Sequence, residues 1–314
     1  MFDALKAWGG IKLRGMSLNI DIVNGCCLRC PSCAVGSIGG RRAGMMSLPF
    51  FRKILDKAQS ETKIRHVQMY VYSDPCLHPQ LASFVRECTE RGIKSWLSTM
   101  LQTTKCDFAD VIQSRPSEFR ISFPGWEHMG YYQRGAKADV FDWKFREVMQ
   151  LPRHRETVWT MVYHVYRDNQ HEIPRAEKLA RDNGLKFVAL PAVFMPLEKM
   201  VGGLYSNNDQ ALISRLIETP ANSVARMKHS DWCPCYKQVT IDAYGRVYLC
   251  ELIYEDRFVL GGFLDTPTGE LLDSIRGHPY CVKCKKAKAN QYQSMYAEIA
   301  TTNDPVGLAN KRRG

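Results

Sequence analysis

From about Leu18 to Leu190, short β-rich runs alternate with stretches of helical period. That alternation constrains the fold of this 314-residue chain more than any other feature. The runs predict strands over 18–23, 66–72, 93–97, 118–123, 158–166 and 187–190. Between them Phe51, Ile54, Leu55 and Ala58 share one helical face, as do Leu81, Phe84, Val85 and Cys88 ahead of a C-terminal cap at Gly92. Val140, Phe141, Phe145, Val148 and Met149 make a third stripe. Ile173, Ala176, Leu179 and Ala180 make a fourth that stops near Gly184, and Leu212, Ile213, Leu216 and Ile217 make another. All of these read as core. Six βα units are too few to close an eight-fold barrel, so the expected α/β fold is a curved, open parallel sheet. Its chemistry is expected at the C-terminal ends of the strands.

After Ser230 the texture changes to a cysteine-flanked hairpin over 232–250 with Gly245 in its turn, a short helix over 269–276 and a Cys-x2-Cys pair. The expected division is a βα domain over 1–220, a smaller domain over 221–290 and a tail over 291–314.

The composition, 45% apolar and 24% charged, is that of a soluble globular protein. The N-terminal stretch carries Asp3 and no continuous apolar region, and the longest apolar run, 187–197, is short and holds two prolines. Neither an export signal nor a membrane span is expected, which makes the chain cytoplasmic and its surroundings reducing. Twelve cysteines, seven of them in tight clusters, then point to soft-metal or redox chemistry rather than to disulfides. The net charge of +11 suggests an acidic partner: nucleic acid, a phosphorylated substrate or an acidic electron donor. The compact basic runs are Lys283-Cys284-Lys285-Lys286 and Lys311-Arg312-Arg313, and a merely solvated surface is the plainer reading.

Directly after the first strand, Asn24-Gly25-Cys26-Cys27-Leu28-Arg29-Cys30-Pro31-Ser32-Cys33 holds Cys-x3-Cys-x2-Cys in a loop. Three thiolates do not close a metal site. A 4Fe-4S cube on three cysteines keeps one iron without a protein ligand, free to take a small molecule. Zinc is the rival, since cysteines two residues apart also suit it, but no fourth cysteine or histidine lies nearby. On the residues alone Cys27 is an alternative to Cys26.

This loop resembles that of the radical S-adenosylmethionine (SAM) superfamily, whose common form is Cys-x-Leu-Arg-Cys-Pro-x-Cys, with Cys27 standing where Asn is usual. The resemblance implies a partial (β/α)6 TIM-like barrel with a [4Fe-4S] cluster on Cys26, Cys30 and Cys33, Cys27 being spare. It also implies cleavage of S-adenosyl-L-methionine to a 5′-deoxyadenosyl radical that takes a hydrogen atom from substrate. Tyr72-Ser73-Asp74-Pro75 stands where the family has Gly-Gly-Glu-Pro, which implies Tyr72, Ser73 and Asp74 at the SAM amino group. A strand-end Asp capping the next helix is the alternative. Ser98, Thr99 and Ser122 fall at strand ends where relatives contact the ribose and methionine carboxylate; Arg120 is a further candidate for the cofactor, and whether Arg120 and His164 face pocket or solvent is open.

In the C-terminal part Cys235-x9-Gly245-x4-Cys250, followed by Cys281-x2-Cys284, resembles the shortened SPASM, or twitch, domain. This implies a small iron-sulfur domain of β-hairpin plus helix. Its auxiliary [4Fe-4S] cluster would sit on Cys235, Cys250, Cys281 and Cys284, closed to substrate and suited to carrying electrons. Cys233 is an alternative ligand, and a zinc ribbon is the structural rival.

Cys27, Cys76, Cys88, Cys106 and Cys233 are left over, Cys88 on a core face. A thiol near the substrate radical, with Cys233 the candidate, would return a hydrogen atom and give epimerisation. Without one, the radical would lose an electron to the auxiliary cluster, which is oxidation. Twitch relatives include an aminocyclitol alcohol dehydrogenase and the enzyme opening molybdopterin biosynthesis, while SPASM relatives mostly mature ribosomal peptides. The first strand begins by residue 18, leaving no leader-binding domain ahead of it, and the chain does not end in the molybdopterin enzyme's double glycine.

The leading expectation is therefore a radical SAM oxidoreductase or epimerase acting on a sugar or aminocyclitol, with flavodoxin or ferredoxin as electron donor. Modification of a ribosomal peptide, transfer of another SAM fragment such as 3-amino-3-carboxypropyl, and a non-enzymatic zinc or nucleic-acid binding role are the alternatives. Nucleic acid is not expected as a partner.

Overall fold

The computed structural model describes residues 15–39, 43–226 and 231–290; the tail over 291–314 lies outside them. The strands are β1 Met16–Ile20, β2 Ile64–Gln68, β3 Lys94–Thr99, β4 Glu118–Phe123, β5 Val158–Val165, β6 Lys186–Pro191, β7 Gln238–Ile241, β8 Arg246–Tyr248 and β9 Val259–Gly262. The helices are α1 Ala34–Ser37, α2 Leu48–Glu61, α3 Leu81–Glu90, α4 Phe108–Gln113, α5 Met129–Tyr132, α6 Ala138–Gln150, α7 Ile173–Asp182, α8 Leu197–Gly202, α9 Asn207–Ile213, α10 Pro220–Arg226, α11 Thr268–Gly277 and α12 Pro279–Lys286.

β1 to β6 pair in sequence order and all in parallel, the expected partial (β/α)6 barrel. Each strand's alternation sorts its side chains. On β4, Phe119, Ile121 and Phe123 are buried under the helical layer, Phe119 against Phe108 of α4 and Phe123 stacked on Phe141 of α6 at 4.3 Å. Glu118, Arg120 and Ser122 point the other way, into the barrel. The helices bury the predicted stripes: Phe51, Ile54, Leu55 and Ala58 on α2, and Leu81, Phe84, Val85 and Cys88 on α3. Each buried Phe or Leu contributes about 1.5–3 kcal/mol of transfer free energy.

Two expectations shift. The helix predicted through Ile217 stops at Ile213, and Leu216 instead bridges to Tyr166 in antiparallel fashion beyond the end of β5. β1 and β2 end earlier than predicted, because the Asp21 carboxylate takes up the backbone N–H groups of Val71 (2.9 Å) and Tyr72 (3.1 Å) in place of a β-ladder.

The C-terminal hairpin does not form a sheet of its own. β7 pairs in parallel with β1, and β8 and β9 follow antiparallel, so one nine-stranded sheet runs β6-β5-β4-β3-β2-β1-β7-β8-β9. The turn between β7 and β8 holds Gly245 at φ 80°, a conformation that favours glycine, with its N–H donating to the Asp242 carbonyl at 2.9 Å. Among the described residues no helix is long and apolar enough to cross a membrane.

Candidate active site and cysteine sites

The loop from the end of β1 to α1 carries the first cysteine motif and is pinned from several sides. Arg29 donates from Nη1 to the carbonyls of Cys26 (2.9 Å) and Leu28 (2.8 Å), its own N–H reaches the Arg134 carbonyl (2.8 Å), and the Met195 N–H donates to the Ser32 carbonyl (2.8 Å). At Gly36, one turn on, an added Cβ would lie 2.1 Å from the Cys30 carbonyl oxygen, so only glycine lets the helix close over the loop.

The three thiols so held, Cys26, Cys30 and Cys33, line one side of a cavity of ≈ 190 Å³ at the C-terminal ends of the barrel strands. Its other walls include Tyr70, Tyr72 and Ser73 after β2, Ser98 and Met100 at β3, Ser122 on β4, His164 on β5, and Tyr132, Gln133, Tyr166 and Met195. In the metal-free chain burial pushes the Cys33 thiol up to about 11 and raises Cys30 further, whereas Cys26 is raised first by its hydrogen bond with Cys27, which lowers Cys27 in turn. A soft cation reverses this logic, since ligation removes the thiol proton.

His164 extends from β5 to 3.0 Å from the Ser122 hydroxyl on β4, and burial pushes its pKa down to about 4, leaving a neutral imidazole on the cavity wall. Opposite, Tyr132 stacks on Tyr166 with ring centroids 3.5 Å apart and donates its hydroxyl to Asp168, which also takes Arg215 at 2.9 Å.

The second group of cysteines also converges. Cys233, Cys235, Cys250, Cys281 and Cys284 line a void of ≈ 20 Å³ together with Leu197, Leu252, Tyr280 and Lys285. The β7–β8 hairpin and the segment ahead of it supply three of the thiols and α12 supplies the other two. Burial raises Cys281 to about 11 and Cys284 to about 12. Tyr72 is close to cysteines of both sites. It lines the open cavity and packs edge-on against Tyr254 at 5.0 Å. Its pKa is raised first by burial and then by Glu198, Cys250 and Cys33.

No family model matches the sequence, and no curated protein does either. Solved structures do match in shape. Native anSMEcpe with bound AdoMet is 14% identical over 94% of this chain and 99% of that one, with a TM-score of 0.55. Streptococcus suis SuiB bound to precursor peptide SuiA is 13% identical over 85% of this chain and 66% of that one, with a TM-score of 0.58. BtrN in complex with AdoMet and 2-DOIA, 16% identical over 89% of each chain, has a TM-score of 0.49, too distant in shape to bear on the reading. The fold is that of the radical SAM enzymes.

Within this radical SAM fold the expected site residues divide. Tyr72, Ser73, Ser98 and Ser122 line the cavity with the three cysteines. Asp74 and Thr99 lie behind its wall: Asp74 is wholly buried, its Oδ1 accepting the Cys76 N–H (2.9 Å) and its Oδ2 the Thr99 hydroxyl (2.9 Å) and the Met100 N–H (3.4 Å). The bond to Cys76 is a capping bond, and the buried carboxylate still lies near enough to Cys26 to raise its pKa. Arg120 is bound to Glu118 at 2.8 Å and lies over the rings of Trp96 and Tyr70, off the cavity wall. Cys233, expected as a hydrogen donor to substrate, lines the second void instead, as the N-cap of a 3-10 helix over Pro234–Lys237.

Sequence reasoning missed Asp21, which also accepts the Ser73 hydroxyl at 2.6 Å and so shapes the cavity rim. A charge inside the apolar run Leu18-Asn19-Ile20-Asp21-Ile22-Val23 was the available signal.

Proposed function

We propose that this chain is a radical SAM oxidoreductase that removes a hydrogen atom and then an electron from a small polar molecule bearing a hydroxyl or amino group. The donor sets suit the two groups this needs. Three converging thiols on an open cavity fit a [4Fe-4S] cluster with one free iron, held by Cys26, Cys30 and Cys33. Five thiols round one small void fit a fully ligated cluster on Cys235, Cys250, Cys281 and Cys284, with Cys233 beside them. With both bound, the first cluster and S-adenosyl-L-methionine supply a hydrogen-abstracting radical, and the second takes up an electron.

The observation that carries oxidation over epimerisation is the position of the spare thiols. Among the described residues the only cysteines on the cavity wall are Cys26, Cys30 and Cys33. Cys27 is exposed, Cys76, Cys88 and Cys106 are buried in the core, and Cys233 lines the other site. No spare thiol stands ready to hand back a hydrogen atom. The protein's own groups then have definite tasks. Ser98, Ser122 and Ser73 offer hydroxyls to bound ligands, Tyr72 packs close to cysteines of both sites, and the neutral His164 accepts the substrate's hydroxyl or ammonium proton on a ring nitrogen as the electron leaves. A peptide substrate is the second reading, favoured by the likeness in shape to SuiB bound to SuiA.

The test incubates reconstituted, reduced protein with SAM and a panel of sugars and aminocyclitols in deuterated water. Product two hydrogens lighter than its precursor, without solvent deuterium on carbon, is expected. Product of unchanged composition carrying one solvent deuterium on carbon would contradict oxidation.

A further inference from the structure

The second cysteine site has one thinly covered edge. Cys235, Cys250 and Cys284 are buried, but Cys233 and Cys281 are part-exposed. Next to Cys281 on α12, Val282 is 44% exposed, and Trp232, next to Cys233, is 49% exposed. The two segments belong to one surface. The Asn290 side chain, which lines the void, donates to the Trp232 carbonyl at 2.9 Å, and Lys285, also on the void, lies 3.7 Å from Asp231.

Cations surround this apolar centre. Lys283 and Lys286 are exposed and in no ion pair among the described residues, and Lys237 and Lys288 are part-exposed. Among the described residues the acids near it include Asp231, opposite Lys285, Asp273, held by Arg276 at 2.9 Å, and Glu251, which takes Asn19 at 2.6 Å. Lysines in a last helical turn suit the helix dipole, which explains their place on α12. The dipole does not account for half-exposed Trp232 and Val282 among them, beside the part-exposed thiols of a redox site.

We propose that this face docks an acidic one-electron carrier protein. The inference rests on the oxidative reading above, in which each turnover leaves one electron at the second site that must depart before the next. It leaves through the Cys281 edge to the oxidised flavin of the carrier, which takes a solvent proton and becomes the semiquinone. Apolar contact at Val282 and Trp232 gives the contact area, and the lysines steer and orient a negatively charged partner.

The probe is a purified acidic flavodoxin in its oxidised form, titrated at low salt into the full-length reconstituted protein. Lys283→Glu/Lys286→Glu is compared with Lys53→Glu, a reversal on the exposed side of α2. Because reversed charges on α12 lie beside the cysteines, Lys283→Gln/Lys286→Gln is measured in parallel, with iron content and 5′-deoxyadenosine formation under dithionite as controls. The expected result is affinity lowered about tenfold by the Glu pair and less by the Gln pair, little changed by Lys53→Glu, and falling as salt rises. Absence of flavodoxin binding by the wild-type protein, or equal weakening by Lys53→Glu, overturns the docking face. Failure of the wild type to take up iron would instead sink the two-cluster reading, and the binding comparison separates the two failures.

Discussion

His164 and His66 both hold their imidazoles neutral at a pKa of about 4, against 6.5 in an unfolded chain, through burial and, for His66, also Arg65, Arg120 and Lys94. Above pH 6.5 neither state binds these protons and the contribution to stability is complete. As pH falls from 6.5 toward about 4 the unfolded chain takes them up and the folded chain does not, so stability is lost across that window. The denaturation midpoint of the metal-free protein should fall over this range, and His164→Asn should flatten part of the fall. An unchanged slope in the variant would show that His164 is charged when folded. The same residue marks a limit of sequence reading: a histidine on a strand faces pocket or core according to a register that one sequence does not reveal. The spacing of the cysteine motif was legible, and Cys26, Cys30 and Cys33 line one cavity with Tyr72, Ser73, Ser98 and Ser122. Asp74 is buried instead, its side chain taken up by Cys76, Thr99 and Met100.

Asp21 is one side chain doing the work of a stretch of ladder. With β1 and β2 separating beyond Ile20 and Gln68, its carboxylate alone collects Val71, Tyr72 and Ser73 and so sets where the cavity rim stands. Asp21→Asn keeps the shape but replaces a charged acceptor of several hydrogen bonds, which should cost about 1.5–3 kcal/mol. It should also weaken SAM binding, read by urea titration and by equilibrium dialysis. Stability and SAM affinity both at wild-type level would remove Asp21 from that role. Element type was legible wherever period was strong, as in the six parallel strands and the α2 and α3 stripes. Boundaries failed where a side chain or an isolated bridge ended the element, at Asp21 and at Leu216.

At the scale of the molecule, the C-terminal hairpin is joined to the barrel's sheet through β1, which pairs with β2 on one side and β7 on the other. Pairing between segments more than 200 residues apart leaves no local trace in a sequence, whereas the cysteine spacing announced that Cys235, Cys250, Cys281 and Cys284 would meet. Since the two cysteine sites share no lining residue, Cys281→Ala should lose roughly half of the bound iron, about four of eight ions, yet still cleave SAM. Cleavage lost together with that iron would mean that the sites are not separate in function. The measurement that bears most directly on the whole reading is anaerobic reconstitution with iron and sulfide, followed by reduction in the presence of SAM. Roughly eight irons per chain and 5′-deoxyadenosine, abolished by Cys30→Ala, are predicted; zinc in place of iron, or iron without 5′-deoxyadenosine, would contradict it.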